Sequence, residues 1–239
     1  MIPSSKNHSL APFPKTKHWY LSQIKVFADL HEEDKRELRE ISHMASYGPH
    51  ELICFPGQPE DTLFLLKEGR VKISQISEKG QEMTICLLQP GEIFGEVETI
   101  TGIPRETVVQ ALEPVLVCEI TRDNFLRFLE RCPTIAIRIL TKVGRQLRYV
   151  ESKYADMVFR SAQGRLAKLL LKLSETMGEE EAGKTRLNIR LTHQNLANLI
   201  GTSRETVSAL LRQFQLQGLL LQERRSLYLL DLERLNQIT

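Results

Sequence analysis

The spacing of apolar and polar positions changes several times along the chain. Residues 34–44, DKRELREISHM, predict a short amphipathic helix. From about residue 51 to 121 the apolar runs are short and alternate with polar residues: LICF, TLFLL, RVKISQI, MTICLL and VLVCEI. Gly57, Gly69, Gly80, Gly102 and the Pro90, Gly91 pair break them, and SEKGQE around Gly80 predicts a hairpin tip. Short strands at regular spacing with glycine turns predict an antiparallel roll or barrel.

Near Pro133 the period lengthens. Leu140, Val143, Leu147, Val150, Tyr154 and Met157 recur in steps of three and four, the spacing of a coiled-coil seam. Arg138, Lys142, Arg145, Arg148 and Lys153 lie outside it. One helix cannot bury such a stripe alone. Packing on the protein's own roll would cover it, but the heptad spacing favours a two-fold dimer. Residues 162–176 predict another amphipathic helix, with Leu166, Leu169, Leu170 and Leu173 on one face. At the end, LLLQERRSLYLLDL predicts a hairpin whose tip carries Arg224 and Arg225.

Residues 191–218, LTHQNLANLIGTSRETVSALLRQFQLQG, have the pattern of a helix-turn-helix. Leu196, Leu199 and Ile200 share one helical face, and Val207, Leu210, Leu211 and Phe214 share another. Gly201 falls where the sharp turn needs a residue that tolerates positive φ. Thr192 can cap the first helix. Thr202 and Glu205 have capping-box spacing for the second, with Ser203 as the alternative cap. Arg204, Glu205 and Ser208 then lie on the exposed first turns of the second helix. An arginine fork matches guanine O6 and N7, and a carboxylate accepts from the cytosine amino group. A carboxylate facing DNA meets repulsion from phosphates, so Glu205 beside Arg204 makes chemical sense as a base reader. The plainer alternative is a solvated surface pair.

A chain of 239 residues suffices for one large or two small domains. The net charge is only +2, but basic residues dominate after Ser161, apart from Glu175 and the run Glu179, Glu180, Glu181. That imbalance suits a face that meets phosphates. Cys54, Cys86, Cys118 and Cys132 are far apart with no C-x-x-C, so buried reduced thiols are expected, and no metal. No apolar run is long enough to span a bilayer, and the polar N-terminus lacks a signal-peptide core, which predicts a cytoplasmic protein. There is no Ser/His/Asp arrangement and no Walker glycine loop, which argues against an enzyme.

The order roll, long helix, helix-turn-helix, hairpin resembles the family of the cyclic-AMP receptor protein and the fumarate-nitrate regulator. The likeness runs from about residue 24 to the end. Its strongest parts are GTSRETVSALLRQFQLQGLL (201–220), FPGQPEDTLFLLKEGRVKI (55–73) and LLQPGEIFGEVE (87–98). The resemblance implies an α+β protein: a flexible segment over 1–23, an effector-sensing double-stranded β-roll of the cyclic-nucleotide-binding jelly-roll type over 24–132, a long dimerisation helix over 133–160, and a C-terminal winged helix-turn-helix over 161–239. It implies a homodimeric bacterial transcription regulator, controlled by a small-molecule or redox signal felt in the roll, that binds a double-stranded DNA operator, with RNA polymerase as a candidate second partner. Arg204 and Glu205 match the family's base-reading pair, and Ser208 matches a serine of the fumarate-nitrate branch. Ala209 stands where arginine is usual, which removes one base contact. Thr192, His193 and Thr206 fall at phosphate-holding positions, and Arg224 and Arg225 would form the wing's backbone contact.

Gly95, Glu96 and Arg105 fill the family's effector places: ribose for the first two, cyclic phosphate for the arginine. A nucleotide or an anionic metabolite suits them. Glu106 after the arginine, Val150 and Glu151 in place of the adenine-contacting pair, and Glu98 in place of a small residue argue against cyclic AMP. Cys118 matches one cluster ligand of the fumarate-nitrate regulator, but the N-terminal segment has no cysteine, so no iron–sulfur cluster is expected. His43 and His50 are read as solvated rather than haem-binding. The competing functional reading is a nucleotide-binding regulatory subunit that docks on a protein partner; it gives no reason for the base-reading turn.

Overall fold

The computed structural model describes residues 24, 26–27, 29–57, 62–181, 183–223 and 226–239. The described residues fall into two compact units: those of Met1–Gln81 with Ile85–Arg145, and those of Glu82–Thr84 with Gln146–Thr239.

The first unit is a β-roll. It opens with helix α1 (Glu32–Glu40) and continues through β1 (Ser42–Tyr47), β2 (Leu52–Cys54), β3 (Thr62–Glu68), β4 (Val71–Ile76), β5 (Glu82–Leu88, its first three residues counted with the second unit) and β6 (Ile93–Phe94). A short helix α2 (Glu96–Thr101) follows, then β7 (Val108–Ala111), β8 (Val115–Thr121) and α3 (Arg122–Arg131). The strands form two four-stranded sheets, ordered β1-β8-β3-β6 and β2-β7-β4-β5. Phe64, Leu66, Val115 and Val117 point between the sheets, into a core with Ile53, Val71, Val109 and Phe94. Their neighbours Leu63, Leu65, Cys118 and Ile120 point the other way, onto Phe27, Phe125, Phe128, Ile135 and Ile139. β3 and β8 are thus buried on both faces, which is why TLFLL and VLVC read as continuous apolar runs.

The expected helix over 34–44 is shorter: α1 stops at Glu40, and Ser42 begins a strand paired with β8 from Ser42↔Ile120 to Tyr47↔Val115. His43 and Met44, taken for the last turn of that helix, are strand residues. Six residues of ladder with β8 outweigh a weak local helical preference. The strand-forming stretches VVQA and IF and the short helix α2 carry too few residues for a periodic signal, whereas α3, ten residues with Phe125 and Phe128 on its buried face, has one that the sequence reading missed.

Helix α4 (Pro133–Phe159) begins on proline, whose missing N–H costs nothing at a first helical position. The second unit continues through α5 (Ala162–Met177), β9 (Gly178–Glu181), β10 (Lys184–Leu187), α6 (His193–Ile200), α7 (Arg204–Leu216), β11 (Leu220–Glu223), β12 (Ser226–Leu229) and α8 (Leu232–Gln237). Its strands form one sheet, β11-β12-β10-β9, so the C-terminal hairpin joins a second hairpin as a wing. Leu166, Leu170, Leu196, Leu199, Val207, Leu211, Phe214 and Leu220 are buried together as its core residues. Gly201 stands at φ 64°, the left-handed turn between α6 and α7. A Cβ there would lie 3.0 Å from Met157 Cε, the end of a flexible side chain that can move aside, so it is the positive φ that calls for glycine.

Candidate functional site

The start of α7 is an exposed polar surface on a buried base. Val207, Leu211 and Phe214 are sunk in the core, while Arg204 and Glu205 stand in solvent on the first turn. Ser203 is the cap, not Thr202: its Oγ accepts from the Thr206 N–H at 3.1 Å. Hydrogen bonds from its own backbone N–H and from Ser203 hold the Glu205 carboxyl below the usual range. It is therefore an acceptor with no proton to donate at neutral pH. Ala209 is exposed on the same helix. Thr192 forms a reciprocal capping box with Asn195 at the start of α6, the two bonds measuring 3.1 and 3.0 Å. Thr206 Oγ1 lies 3.1 Å from Ser203 Oγ. Arg224 and Arg225 lie outside the described residues.

His193 and Ser208, assigned separate tasks by resemblance, are in contact. His193 Nδ1 lies 2.8 Å from Ser208 Oγ, and His193 Nε2 lies 3.2 Å from Gln222 Nε2 on the wing strand β11. Sequence spacing carried no sign of this bridge, because its members come from three elements.

Beneath the reading surface, basic side chains cap the first helix of the motif. Lys153 donates to the Leu199 carbonyl at 3.1 Å and Arg165 to the Ile200 carbonyl at 2.8 Å, which satisfies carbonyls left over at the C-terminus of α6. Asp156 joins α4 to α5, bonded to Arg160 at 2.7 Å and Lys168 at 2.6 Å. Burial pushes its carboxyl up, but those two bonds and the charges behind them outweigh burial and hold it below the usual range. In the sequence Lys153 reads only as a charge outside the seam, and nothing in the spacing singles out Asp156.

In the roll, Gly95 sits at φ 84° before α2, and a Cβ there would lie 2.6 Å from the Thr62 carbonyl oxygen and 2.8 Å from Arg105 Nη2. Arg105 is 4% exposed. Its Nε and Nη2 have no hydrogen-bond partner, and its charge is met by Glu98 Oε2 at 3.7 Å. So Gly95 and Arg105 do come together, as a backbone cradle beside a buried guanidinium with donors to spare. Such a site fits an anion. Glu106 is exposed, whereas Glu98 is the carboxylate beside the guanidinium. Glu96 is buried and already engaged: Lys142 Nζ, from α4, lies 2.5 Å from its Oε1 and donates to the Ile93 carbonyl at 2.8 Å.

Along α4, Leu140, Leu147 and Tyr154 are 71, 59 and 71% exposed. Ile137 and Val158, which the six-residue stripe omitted, are exposed in the same phase. Val150 is exposed too, but Val143 is turned onto the roll's own core, and Met157 lies against Gly201.

Among the described residues, no group of three or more His, Cys, Asp and Glu could hold a metal ion, and no helix is long and apolar enough to cross a membrane. Cys132 ends α3, and burial, a hydrogen bond to Asp34 and the Asp34 and Glu37 charges push its thiol up to about 11.

Residues 44–132 match the model of the cyclic nucleotide-binding domain, and residues 164–238 that of the Crp-like helix-turn-helix domain. Over 179 residues the chain is 32% identical to the CRP-like cAMP-activated global transcriptional regulator of Mycobacterium tuberculosis, covering 75% of this chain and 80% of that one. The cyclic AMP receptor protein of Thermus thermophilus is 32% identical over 166 residues, 70% of this chain and 74% of its own. Among solved structures, CooA from Carboxydothermus hydrogenoformans superposes with a TM-score of 0.74 at 24% identity, covering 90% of this chain and 94% of its own. The c-di-GMP responsive regulator CLP of Xanthomonas campestris gives 0.75 at 23%, covering 84 and 100%.

Proposed function

Because the chain belongs to the family of the cyclic-AMP receptor protein and the fumarate-nitrate regulator, and so is a DNA-binding transcription regulator, we propose that it acts as a homodimer on a two-fold operator. Arg204 and Glu205 read bases in the major groove, with Ser208 beside them. The observation that carries this reading is the start of α7, where both charged side chains stand exposed over a buried opposite face, Glu205 held by its own backbone N–H and by Ser203. The depressed Glu205 carboxyl supports its use as an acceptor for a base amino group. Thr206, half-exposed at the start of α7, suits a phosphate contact, with Arg224 and Arg225 added from the wing tip; the Thr192 hydroxyl donates to Asn195 Oδ1 at 2.7 Å and would have to leave its cap to join them. Two copies joined along α4 would set their reading helices about 34 Å apart, one turn of DNA.

The signal in this reading is a small anion held in the roll by Arg105 and the Gly95 backbone. The unpaired donors of Arg105 support it. The names of two similar proteins point to cyclic nucleotides, cAMP for the mycobacterial regulator and c-di-GMP for CLP. Here Lys142 already holds Oε1 of Glu96, which leaves only the other oxygen for a ribose hydroxyl. Val150 and Glu151 offer no hydroxyls to a purine. An anion that needs neither contact fits better. Its binding would shift the population between two arrangements of the long helices and their DNA-reading domains. Burial and the Asp34 and Glu37 carboxylates push the Cys132 thiol up, away from the thiolate that a signal at this cysteine would use.

The test is a mobility-shift titration on an operator selected from random duplexes. Arg204→Ala and Glu205→Ala each abolish preference for that operator over competitor DNA and leave weak, salt-sensitive association. Unaltered specific affinity in both variants defeats the proposal.

A further inference from the structure

We propose that His193 is a positioning residue that fixes which hydrogen-bonding partner Ser208 can accept, so that this serine reads only a base bearing an amino group. The proposal rests on the base-reading role of α7 and adds to it a second element, the wing.

A serine hydroxyl has one hydrogen and two lone pairs, and it normally rotates to donate or accept as needed. That freedom makes serine a poor discriminator, able to meet several base edges. Here the arrangement that satisfies every neighbouring contact at once assigns that hydrogen. Ser208 Oγ donates to the Arg204 carbonyl one turn back, at 2.9 Å. With that hydrogen spent, the 2.8 Å contact to His193 needs Nδ1 to carry the proton and donate. Nε2 is then a bare acceptor, and the Gln222 amide at 3.2 Å supplies the matching donor. The three contacts are mutually consistent with one neutral tautomer of His193. What is left on Ser208 is a single lone pair. It can accept from the N4 amino group of cytosine or the N6 amino group of adenine, and it has nothing to offer an O6, N7 or O4 acceptor.

The bridge also changes what His193 does. Both its ring nitrogens are spent inside the protein, on α7 and on β11, so neither is free for a phosphate oxygen. Gln222 would orient the ring from the wing, much as an outer hydrogen bond fixes the tautomer of a ligating histidine.

The experiment measures equilibrium affinity of the full chain for the selected operator and for every single base-pair variant of it, at several salt concentrations. His193→Phe keeps a ring but loses the donor; His193→Asn places an amide donor near the position of Nδ1. Ser208→Ala and the double variant with His193→Phe complete the set. The expected result is that His193→Phe and Ser208→Ala each lose about five- to tenfold of discrimination at one and the same base pair. The double variant loses no more than either single one, the salt slope stays at the wild-type value, and His193→Asn retains discrimination. A uniform loss across all sequences with the slope reduced by about one would make His193 a phosphate contact and overturn the proposal. A uniform loss with an unchanged slope would make it a packing residue, with the same consequence. If Arg204→Ala and Glu205→Ala keep wild-type discrimination, the reading surface itself is wrong. If they lose it while His193→Phe does not, only the present inference fails.

Discussion

Arg105 shows how much one side chain can say. A guanidinium held 4% exposed, with two of its nitrogens unpartnered, carries a desolvation cost that a carboxylate 3.7 Å away only partly offsets. Such a cost is sensible where a ligand repays it. Arg105→Met should therefore leave the ligand-free melting temperature unchanged or raised. It should also remove the thermal stabilisation that cyclic AMP, cyclic di-GMP or inorganic phosphate gives the wild-type chain. A scan of both proteins against those three anions checks this; stabilisation of the variant equal to wild type by the same anion removes Arg105 from the site. The sequence singled out Gly95, Glu96 and Arg105 together, but not their different states. Arg105 waits for a partner, while Glu96 has taken Lys142. The difference arises because Lys142 lies 46 residues from Glu96 along the chain, on another element.

At the scale of elements, the helix-turn-helix is held from below by cations that end a helix. Lys153 and Arg165 take the last carbonyls of α6, and Asp156 ties α4 to α5 through Lys168 and Arg160. The Asp156 carboxyl is depressed in the folded chain, so it is ionised there at acidities where the unfolded chain binds a proton. Its contribution is complete above the ordinary aspartate value of about 4 and is lost as pH falls through the lower folded value. Asp156→Asn should lower stability by about 1–2 kcal/mol at pH 7, read as a drop of a few degrees in melting temperature. The gap between variant and wild type should close below about pH 4; a gap of constant size from pH 7 to pH 3 would mean the pair contributes nothing through charge. Element existence was legible wherever a run was long and periodic, as in α4, α5, α6 and α7. The short pieces β1, β6 and α2 were not legible, since two to six residues carry little pattern and their placement depends on neighbours such as β8; α3 was missed although Phe125, Phe128 and Leu129 recur at helical spacing.

At the scale of the whole molecule, the exposed face of α4 calls for cover. Leu140, Leu147 and Tyr154 stand largely in solvent, joined by Ile137 and Val158, while Val143 is already used by the roll. The proposed cover is a second copy, and Leu147 is the place to test it because glutamate is a good helix former and leaves the fold intact. Leu147→Glu would set two carboxylates against each other across a two-fold axis. The expected outcome is a monomer mass by light scattering and a loss of about a hundredfold or more in operator affinity, since the two half-sites no longer bind as a linked pair. A dimer mass in the variant would place the interface elsewhere. Local order alone determined the parts that depend on near neighbours. Apolar residues three and four apart made helices, a glycine between two of them made a turn, and a cap set Arg204 and Glu205 at an exposed start. Only the tertiary structure decided what joins distant parts: the pairing of β1 with β8, the capture of Glu96 by Lys142, the vacant donors of Arg105 and the His193 bridge from Ser208 to Gln222. The physical reason is that helical periodicity is a property of a few consecutive residues, whereas a hydrogen bond between elements depends on where folding brings two side chains, which spacing along the chain does not encode.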